Sequence, residues 1–496
     1  MPIDGARFDA VVLGAGLLGC FAARHLTRYR LQVALLEARE DVCTGISRAN
    51  TAIIYTGYDT KPGTLKTKLC TAACRDFDRL CRELGVPFVR RGSLLVSYGP
   101  RADRVVEQKY RQGLENGVEG LHILSGREAE AMEPNLARGI SSALLAEGTS
   151  TVNPWALGIA AYENALDNGC LASLNTRVTG IVPEGDGYVI ETTAGTCWSG
   201  AVVNCCGLYA DEIQELVAEP SVRVVPEKAD YLVLDDTAGD FVRHIIFQEP
   251  EEKGKGLTLV PTVDGNLLLG PSEQPGDGKR SFSTTRAGLA FLRELAGRVA
   301  PGLDLAQTIR SFGAVRPNPF HVHREGENWV AEDRSISNFT VMNPRTNFWS
   351  LIGIKTPGLT CADGLGAYLA ERVAEGLGRT EPNPDFNPVR RPPVRVKDLG
   401  FEERAALAAA QPAYGKILCR CGGVTEGEVL EAIARGAVTL DGVKRRAGTG
   451  LGRCQGGFCA HRVMALLAQE LGVPVETLTK DGPGTGLLGG GRRGTL

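Results

Sequence analysis

The chain has 496 residues, with 55 lysines and arginines against 58 aspartates and glutamates, and a formal net charge of −3 at pH 7. This balance excludes a global basic field that would hold nucleic acid or an anionic membrane surface, so any anion site is local. The length allows two or three domains and excludes a small disulfide scaffold, and 43% hydrophobic content is too high for a disordered chain. The 62 glycines suit a backbone that comes close to a large phosphate-bearing ligand.

The first residues and the cysteines predict the compartment. Residues 1–8 lack the basic start and the apolar stretch of a signal peptide, and no apolar run reaches the roughly 20 residues that cross a bilayer. Ten of the 14 cysteines are scattered through the first 361 residues in apolar or helical contexts, which is typical of reduced thiols. We expect a cytoplasmic protein with no direct membrane span.

The first predicted elements form a βαβ unit. Residues 8–13 predict a buried strand, the sequence Gly14-Ala15-Gly16-Leu17-Leu18-Gly19 opens a helix, and residues 32–37 predict the next strand. Glycines at this spacing let the backbone approach a pyrophosphate at the positive end of the helix, and Glu37 is placed to accept ribose hydroxyls. The alternative is a glycine-rich turn with a surface glutamate. We predict a dinucleotide site at Gly14, Gly16, Gly19 and Glu37.

The loop that follows offers further ligand contacts. The sequence Thr44-Gly45-Ile46-Ser47-Arg48-Ala49-Asn50 supplies hydroxyls, an amide and a guanidinium, which suit the phosphate and ring contacts of an extended flavin cofactor. On chemistry alone the segment is also consistent with an ordinary turn. We take Thr44, Ser47 and Asn50 as cofactor-binding candidates.

Further along the chain, helices and strands alternate in blocks. A helix is predicted over residues 64–84, with Cys70, Cys74 and Cys81 on one face as core thiols. Residues 172–204 predict short strands, with turns at Gly180, Gly185 to Gly187 and Gly195. A second block of strands over about 222–320 then interrupts the dinucleotide-binding elements, and its expected role is to enclose a substrate.

Two later blocks complete a resemblance to a known family. From residue 8 to about 375 the chain resembles the FAD-dependent oxidoreductases of the D-amino-acid oxidase and glycerol-3-phosphate dehydrogenase superfamily. The segment Asn204–Asp211 is similar to its second flavin-binding strand and turn, with Cys205 and Cys206 in place of alanines; we interpret them as small buried residues rather than a redox pair. The segment Gly353–Thr360 is similar to its late flavin-contacting loop. The resemblance implies further cofactor contacts at Gly207, Gly353, Gly358, Leu359 and Thr360.

The same resemblance implies the catalytic residues. The segment Phe312–Pro317 resembles the one in which related oxidases place a carboxylate-binding arginine, so Arg316 is the first choice for a substrate anchor; the alternative is a surface arginine in a loop. Lys355 is expected to stabilise reduced flavin or to hold substrate, with a solvated lysine as the alternative. Tyr55 stands where relatives often have histidine, so no base is assigned there. His244 and Thr262 are weaker candidates.

Four cysteines near the C terminus form a separate group. Cys419 and Cys421 are followed, after 32 intervening residues, by Cys454 and Cys459. Four thiolates suit zinc or an iron-sulfur cluster, but the first pair departs from the Cys-x-x-Cys spacing that structural zinc sites more often use. Residues 417–467 resemble the bacterioferritin-associated ferredoxin type of domain, which implies that Cys419, Cys421, Cys454 and Cys459 hold a 2Fe-2S cluster.

Two local patterns accompany this group. Thr425 predicts a helix N-cap, with Glu428 completing a capping box. We expect the basic trio of residues 444–446 either to form a solvated charged face or to face an acidic electron donor or acceptor.

We expect an α/β fold with a Rossmann-type FAD-binding domain, an interleaved α+β substrate domain and a small helical C-terminal iron-sulfur domain. Five prolines over residues 382–393 indicate an extended, semi-rigid connection, and residues 401–410 predict a short helix. The glycine-rich tail from Asp481, which includes residues 491–494, is expected to be loosely ordered unless it docks on a partner. The predicted boundaries are 1–380 for the oxidoreductase (FAD-binding elements about 1–90, 145–220 and 330–380; substrate domain about 91–144 and 221–329), 381–411 for a linker, 412–470 for the 2Fe-2S domain and 471–496 for a tail.

Both blocks in one chain resemble the large subunits of bacterial anaerobic glycerol-3-phosphate dehydrogenases. The resemblance implies an FAD-dependent dehydrogenase that oxidises a small anionic substrate, glycerol 3-phosphate or a 2-hydroxy acid. Electrons are then expected to pass through FAD and the 2Fe-2S cluster to an acceptor protein or subunit. The alternative from another class is an electron-transfer subunit of an amino- or imino-acid dehydrogenase without its own substrate oxidation. An oxygen-using oxidase is a third reading, which the iron-sulfur module argues against.

Overall fold

The computed structural model describes residues 3–248 and 256–488, and residues 489–496 of the predicted loose tail lie outside them. The chain divides into two compact units. The first contains residues 1–38 and 42–390, and the second contains residues 39–41 and 391–496. In the described part of the tail, Asp481 pairs with Arg445 and its N–H donates to Thr485 Oγ1, so residues 481–485 are tied to the rest of the second unit.

The first unit holds strands β1 to β21 and helices α1 to α8. The strands are β1 (Arg7–Leu13), β2 (Val33–Leu36), β3 (Ile53–Ile54), β4 (Phe88–Arg90), β5 (Ser93–Ser97), β6 (Leu121–Ser125), β7 (Ser142–Ala146), β8 (Ser150–Val152), β9 (Leu171–Ser173), β10 (Val178–Glu184), β11 (Gly187–Thr192), β12 (Gly195–Asn204), β13 (Val222–Leu234), β14 (Ile245–Gln248), β15 (Thr258–Pro261), β16 (Leu267–Gly270), β17 (Gln274–Pro275), β18 (Thr308–Glu325), β19 (Asn328–Ala331), β20 (Thr340–Arg345) and β21 (Phe348–Ile352). The helices are α1 (Leu17–Leu26), α2 (Leu65–Leu84), α3 (Pro100–Glu115), α4 (Gly126–Met132), α5 (Pro154–Asp167), α6 (Ala210–Gln214), α7 (Arg286–Val299) and α8 (Ala362–Gly376).

The first sheet places the ends of four strands at one edge. Its order is β10-β11-β12-β1-β2-β9, with β21 beside β12 and β20 beside β21. Strand β1 runs parallel to β2 and β12, and β12 runs parallel to β21. The carboxyl ends of β2, β1, β12 and β21 therefore meet at the same edge, which is where open α/β sheets bind dinucleotides. The predicted βαβ unit is confirmed, with the helix ending at Leu26.

The second sheet is long and mostly antiparallel. Its order is β19-β18-β13-β16-β15-β14-β5-β7-β6, with β17 beside β13. Strands β13 and β18 pair along most of their length, in a register that sets Glu227 directly opposite Arg316. Helix α7 packs its buried Leu292 and Leu295 against the leucines of this sheet. A third, small sheet has the order β3-β8-β4. This architecture confirms the expected α/β class.

Two local predictions of the first unit have different outcomes. The helix over residues 64–84 is confirmed as α2, whose N-cap Thr64 accepts from the Thr67 N–H, and Cys70, Cys74 and Cys81 are buried on it. The turn predicted at Gly180 is wrong, because this residue lies inside β10 at a register shift. A Cβ at Gly180 would lie 2.5 Å from Oε2 of the cross-strand residue Glu191, so a larger residue here would have to displace that side chain.

A buried ion cluster joins α1 to α8. Asp363 Oδ1 lies 2.7 Å from His25 Nε2 and 3.3 Å from Arg24 Nη1, and both partners are nearly inaccessible to solvent. Burial alone would raise the pKa of the Asp363 carboxyl, but His25 and Arg24 lower it from 3.8 to about 2. A carboxyl with a lowered pKa stabilises the fold above its unfolded pKa, and that stability is lost as the pH falls from about 4 through 2.

We expect Asp363→Asn to lower the unfolding free energy at pH 7 by about 2 kcal/mol, since the buried Arg24 loses one of its two carboxylate partners and keeps only Glu83 at 3.4 Å. Urea unfolding followed by tryptophan fluorescence measures this, because all 4 tryptophans lie in the first unit. The deficit of the variant should shrink as the pH falls from 4 towards 2. Asp167→Asn, at an exposed position on α5, is the control and should change little. Equal stability of Asp363→Asn and wild type at pH 7 would contradict the argument.

The proline-rich segment after α8 is tied to the first unit as far as residue 390. The Asn387 carbonyl accepts from the side-chain amides of Asn164 and Asn168 at 3.0 and 2.9 Å. Arg390 is buried, and its Nε donates to Glu163 Oε2 at 2.7 Å. This part of the segment is therefore held against the first unit by polar contacts, and it contains a turn in which the Phe386 N–H donates to the Asn383 carbonyl.

The second unit is small and mainly helical. Its elements are α9 (Phe401–Ala410), β22 (Ile417–Cys419), β23 (Val424–Thr425), α10 (Glu426–Ala434), α11 (Leu440–Ala447) and α12 (Ala460–Leu471). The three last helices pack Val429, Val443, Val463 and Leu467 into one core. The predicted helix over residues 401–410 and the capping box of Thr425 and Glu428 are confirmed. Among the described residues, no helix combines the length and apolarity needed to cross a membrane.

The basic trio on α11 is largely internal to the second unit. Arg445 Nη2 and Arg446 Nη2 each lie 2.8 Å from the carboxylate of Asp41, and Arg445 Nη1 lies 2.8 Å from Asp481. Both arginines and Asp41 are buried. The expectation of a solvated or partner-facing basic face is therefore wrong for Arg445 and Arg446, because buried carboxylates from distant segments neutralise them.

Candidate functional site

The glycine loop after β1 lies at the common edge of the four parallel strands. Gly14 has a φ of +90°, and a Cβ there would lie 2.8 Å from the carbonyl oxygen of Cys205. A Cβ at Gly19 would lie 1.8 Å from the carbonyl oxygen of Gly14, so helix α1 approaches the loop too closely for any side chain. Glycine is needed at position 14 because the backbone there is left-handed, and at position 19 because the helix contacts the loop closely. Both glycines allow backbone N–H groups to face the edge of the sheet.

Side chains from neighbouring segments fix this loop. The Ala15 N–H donates to Glu37 Oε2 at 2.7 Å, and the Leu17 N–H donates to Ser47 Oγ at 2.9 Å. Asn50 donates to the carbonyl of Ser47 at 3.0 Å and accepts from the Ala52 N–H at 2.8 Å. Glu37 and Ser47 thus lie directly against the start of α1. Thr44 is buried in the same loop.

The other two loops at this edge follow β12 and β21. Asn204 ends β12, and the Cys205 N–H donates to the Leu13 carbonyl at 2.8 Å, which holds this turn against the glycine loop. Gly207 and Gly353 both have positive φ values, of 58° and 62°, and a Cβ at Gly353 would lie 2.6 Å from Pro319. The buried Thr360 accepts from the Tyr55 N–H at 3.0 Å. All four predicted loops are therefore brought to one edge of one sheet.

The two predicted catalytic residues belong to one hydrogen-bonded chain. Lys355 Nζ donates to Asn318 Oδ1 at 2.9 Å, and Asn318 Nδ2 donates to Glu227 Oε2 at 2.8 Å. Arg316 Nη1 donates to Glu227 Oε1 at 2.8 Å and to Glu273 Oε1 at 2.7 Å. We refer to these five residues as the polar chain. It joins the loop after β21 (residues 353–360), which we call the flavin-type loop, to strands β13 and β18 of the second sheet.

The charges of the polar chain keep Arg316 ionised. Its side chain is only 14% exposed, which excludes the surface arginine considered from the sequence. Burial alone would lower the pKa of the guanidinium, but Glu227 and Glu273 raise it overall. Its Nε and Nη2 groups make no hydrogen bond with the described residues. Arg316 is thus a cation fixed in position by two carboxylates, and its Nε and Nη2 groups remain as donors that these ion pairs do not use.

Two aromatic residues lie near Arg316. Burial raises the pKa of the Tyr55 phenol to about 12, and burial also raises the pKa of Tyr231. Tyr55 stacks on Phe247 with ring centroids 6.1 Å apart, and Tyr231 stacks on Phe312 at 4.7 Å. Both phenols therefore stay protonated at neutral pH and serve as hydrogen-bonding and packing groups rather than bases.

Sequence reasoning missed Glu227, Asn318 and Glu273. Asn318 lies two residues after Arg316 in a strand, a spacing that puts both side chains on one face. That alternation was a usable signal for Asn318. Glu227 lies on β13 and Glu273 directly precedes β17, and only the pairing of β13 with both β18 and β17 brings them to Arg316.

We expect Glu227→Gln to lower kcat/KM about tenfold. The carboxylate of Glu227 accepts from both Arg316 and Asn318, whereas the amide of glutamine can accept from only one of them and turns its own N–H donors towards the other. Glu215→Gln is the matched control, since it weakens a comparable pair with Arg223 at 2.9 Å elsewhere in the first unit. Steady-state kinetics of both variants with the flavin loaded checks this. A similar loss in both variants would indicate a general structural effect.

The weaker candidates from the sequence have structural roles. His244 Nδ1 lies 2.7 Å from Oε1 of the buried Glu133, whose carboxylate also accepts from the backbone N–H groups of residues 243 and 244. Thr262 Oγ1 accepts from the Asn266 N–H within a turn. Neither contact involves the polar chain.

The four cysteines of the second unit lie on two facing loops. Cys421 Sγ and Cys454 Sγ are 3.4 Å apart, Cys421 is exposed, and Cys419 and Cys459 are buried side by side. Backbone N–H groups, first that of Phe458, lower the pKa of the Cys454 thiol. Thiolates surrounded by backbone donors suit an iron-sulfur cluster, whose sulfur ligands accept such hydrogen bonds. The donor set therefore fits the group that the sequence predicts.

Comparisons with known proteins agree with this geometry. The FAD dependent oxidoreductase family matches residues 9–372, and the BFD-like 2Fe-2S binding domain matches residues 417–469. A glycerol 3-phosphate dehydrogenase of Caloramator mitchellensis is 40% identical over 485 residues, which cover 97% of this chain and 98% of that protein. The anaerobic glycerol-3-phosphate dehydrogenase subunit A1 of Haloferax volcanii is 25% identical over 93% of this chain and 83% of its own length.

A solved structure supports the fold. The L-alpha-glycerophosphate oxidase of Mycoplasma pneumoniae, dithionite-reduced and with FAD bound, has a TM-score of 0.70 at 24% identity and covers 78% of this chain and 100% of its own. The resemblances drawn from the sequence to both families are confirmed, and the iron-sulfur assignment is favoured over zinc. The chain belongs to the FAD dependent oxidoreductase family and joins that enzyme fold to a BFD-like 2Fe-2S binding domain.

Proposed function

We propose that this enzyme oxidises glycerol 3-phosphate. The observation that carries the proposal is the polar chain, which places a held arginine and a lysine of the flavin-type loop in one network. The alignment with the Caloramator mitchellensis protein supports it, because that alignment spans both the oxidoreductase and the iron-sulfur regions. A cationic guanidinium with donors outside its ion pairs suits a phosphate or carboxylate group.

We propose that the four loops at the edge of the first sheet hold FAD. The proposed contacts are Gly14, Gly16, Gly19, Glu37, Thr44, Ser47, Asn50, Gly207, Gly353, Gly358, Leu359 and Thr360. Support comes from the strand directions and from Gly14, Gly19 and Gly353, where a side chain would strike a neighbouring part of the chain and keep these segments from packing closely at the edge. The flavin, when bound, supplies the acceptor for a hydride from the substrate carbon.

We propose separate roles for the protein groups around the substrate. Arg316 binds the anionic group of the substrate and orients its reacting carbon. Lys355, held by Asn318 and by Ser335 at 3.0 Å, places a positive charge beside the flavin-type loop. Glu227 holds Arg316 directly through Oε1 and reaches Lys355 only through Asn318, which donates to Oε2. These groups position the substrate and balance charge, which is the contribution that a protein makes to cofactor chemistry.

We propose that Cys419, Cys421, Cys454 and Cys459 are the ligands of the 2Fe-2S cluster. The facing sulfurs and the backbone donors around Cys454 support this set. A cluster accepts and gives single electrons, so the proposed acceptor of the enzyme is a one-electron protein or subunit.

We also propose the domain boundaries and the location that the sequence predicts. Strands β5, β6 and β13 to β18 lie within about 91–144 and 221–329, and β7 runs two residues past residue 144, which supports the interleaved substrate domain. The four cysteines lie within residues 412–470, inside a compact unit whose longer segment begins at residue 391. A cytoplasmic location is supported by the 14 cysteines, all of which are free thiols in the described chain.

Anaerobic titration of the loaded enzyme tests the substrate. Glycerol 3-phosphate should bleach the flavin absorbance bands, with about two irons per chain present in the sample. 2-Hydroxyglutarate, an example of the 2-hydroxy acids, should bleach them at least about tenfold more slowly. Faster bleaching by the hydroxy acid would move the assignment to that substrate class.

A further inference from the structure

An apolar surface lies beside the cysteines of the second unit. Phe458, next to Cys459, is 80% exposed, and Ile417, two residues before Cys419, is 57% exposed. Arg462 Nη1 donates to the Ile417 carbonyl at 3.4 Å, which brings the two cysteine-bearing segments together at this surface. We call Ile417, Arg420, Cys421, Phe458 and Arg462 the cysteine-loop face. An exposed phenylalanine leaves a large apolar area available to a partner.

The charge of this face differs from that of the whole chain. Residues 417–424 and 449–462, which contain all four cysteines, include three arginines and no aspartate or glutamate, although the chain has a net charge of −3. Arg420 and Arg462 are exposed and make no ion pair with the described residues. A local positive region with an apolar centre steers and orients an approaching protein of opposite charge.

The face also contains the most accessible of the four cysteines. Cys421 is exposed, whereas Cys419 and Cys459 are buried. If these sulfurs hold the cluster, a partner seated here comes close to a ligand sulfur. Electron-transfer complexes are small and short-lived, and a few charges around one aromatic contact match that type of interface.

We propose that the cysteine-loop face is the docking surface for an acidic redox protein, one with carboxylates around an apolar contact near its own redox centre. The inference rests on the proposed ligand role of the four cysteines and is independent of which substrate the enzyme oxidises. An anionic lipid surface also attracts cations and aromatic rings, but binding to lipid does not require an exposed ligand sulfur, whereas electron transfer to a redox protein does benefit from one.

Equilibrium binding to the oxidised holoenzyme, without substrate, tests the proposal. The probe is a plant-type 2Fe-2S ferredoxin, which is acidic, and basic cytochrome c is the opposite-charge control. We expect ferredoxin to bind at low ionic strength and to be released at about 0.5 M salt, where screening shortens the reach of charges to roughly 4 Å. Arg420→Glu with Arg462→Glu should raise its Kd by about tenfold or more. The same charge change on helix α3, Arg101→Glu with Arg104→Glu, should change the Kd less than about twofold.

A second pair of variants tests the apolar centre. Phe458→Ala should weaken ferredoxin binding about fivefold, whereas Phe401→Ala, at an equally exposed phenylalanine on α9, should leave it within about twofold. Iron is measured in every variant, and if the double glutamate variant loses iron, Arg420→Gln with Arg462→Gln takes its place.

Several results would overturn the proposal. These are absence of ferredoxin binding, stronger binding of cytochrome c, equal weakening by the α3 pair, or binding to phosphatidylglycerol vesicles without binding to ferredoxin. Because no substrate enters the binding experiment, failure of glycerol 3-phosphate to bleach the flavin would leave this result intact, and the reverse also holds.

Discussion

Replacing Arg316 with methionine should lower kcat/KM for glycerol 3-phosphate about 1,000-fold, which corresponds to about 4 kcal/mol of transition-state binding. Methionine keeps the length and apolar stem of the side chain but removes the cation that Glu227 and Glu273 hold in place. The loss should appear in KM and in kcat, because in the proposed role the guanidinium both binds the anionic group and orients the carbon next to it. Stopped-flow flavin reduction at varied substrate concentration separates the two.

Two control variants interpret the result. Arg316→Lys keeps the charge but loses the planar fork, so it should recover about tenfold of the lost activity. Arg223 lies on the neighbouring strand β13 and pairs with Glu215, so Arg223→Met breaks an arginine–glutamate pair away from the polar chain and should keep near wild-type kinetics. The anchor role fails if Arg316→Met retains flavin and reacts within about threefold of wild type.

Replacing Cys454 with serine should remove the iron from the second unit, so that flavin reduction by substrate continues while electron transfer to a protein acceptor fails. The backbone donors that lower the pKa of the Cys454 thiol favour a bound thiolate, and a serine hydroxyl at this position is a much poorer ligand. We expect iron to fall from about two per chain to nearly none. Substrate should still bleach the flavin, while turnover with a one-electron protein acceptor should fall by about 100-fold or more.

Cys170→Ser is the matched control for this variant. Cys170 is a buried thiol of the first unit, and burial raises its pKa to about 12, so it stays protonated. The control should keep its iron and its turnover with the protein acceptor. Full iron content in Cys454→Ser would exclude this residue as a ligand and would require another donor in its place.

Local patterns determined the elements whose side chains interact within a short stretch of chain. The glycine spacing after residue 13 and the apolar strands around it predicted the βαβ unit, because the backbone conformation of Gly14 and the approach of Gly19 are local requirements. The capping box of Thr425 and the buried face of α2 were predictable for the same reason. The resemblances drawn from these and later motifs identified the family and both cofactors.

Only the tertiary structure decided which distant charges meet. The pairing of Glu227 with Arg316 depends on the register between strands 89 residues apart, and the partner of Arg445 and Arg446 is Asp41, some 400 residues earlier in the chain. Long-range contacts of this kind produce no periodic pattern in a single sequence. Before the chain folds, a glutamate or aspartate that will pair with a distant arginine cannot be distinguished from one that will stay on the surface. The sequence alone therefore determined the family, the cofactor loops and the cysteine set, whereas folding decided the partners that hold Arg316, Lys355 and the basic helix in place.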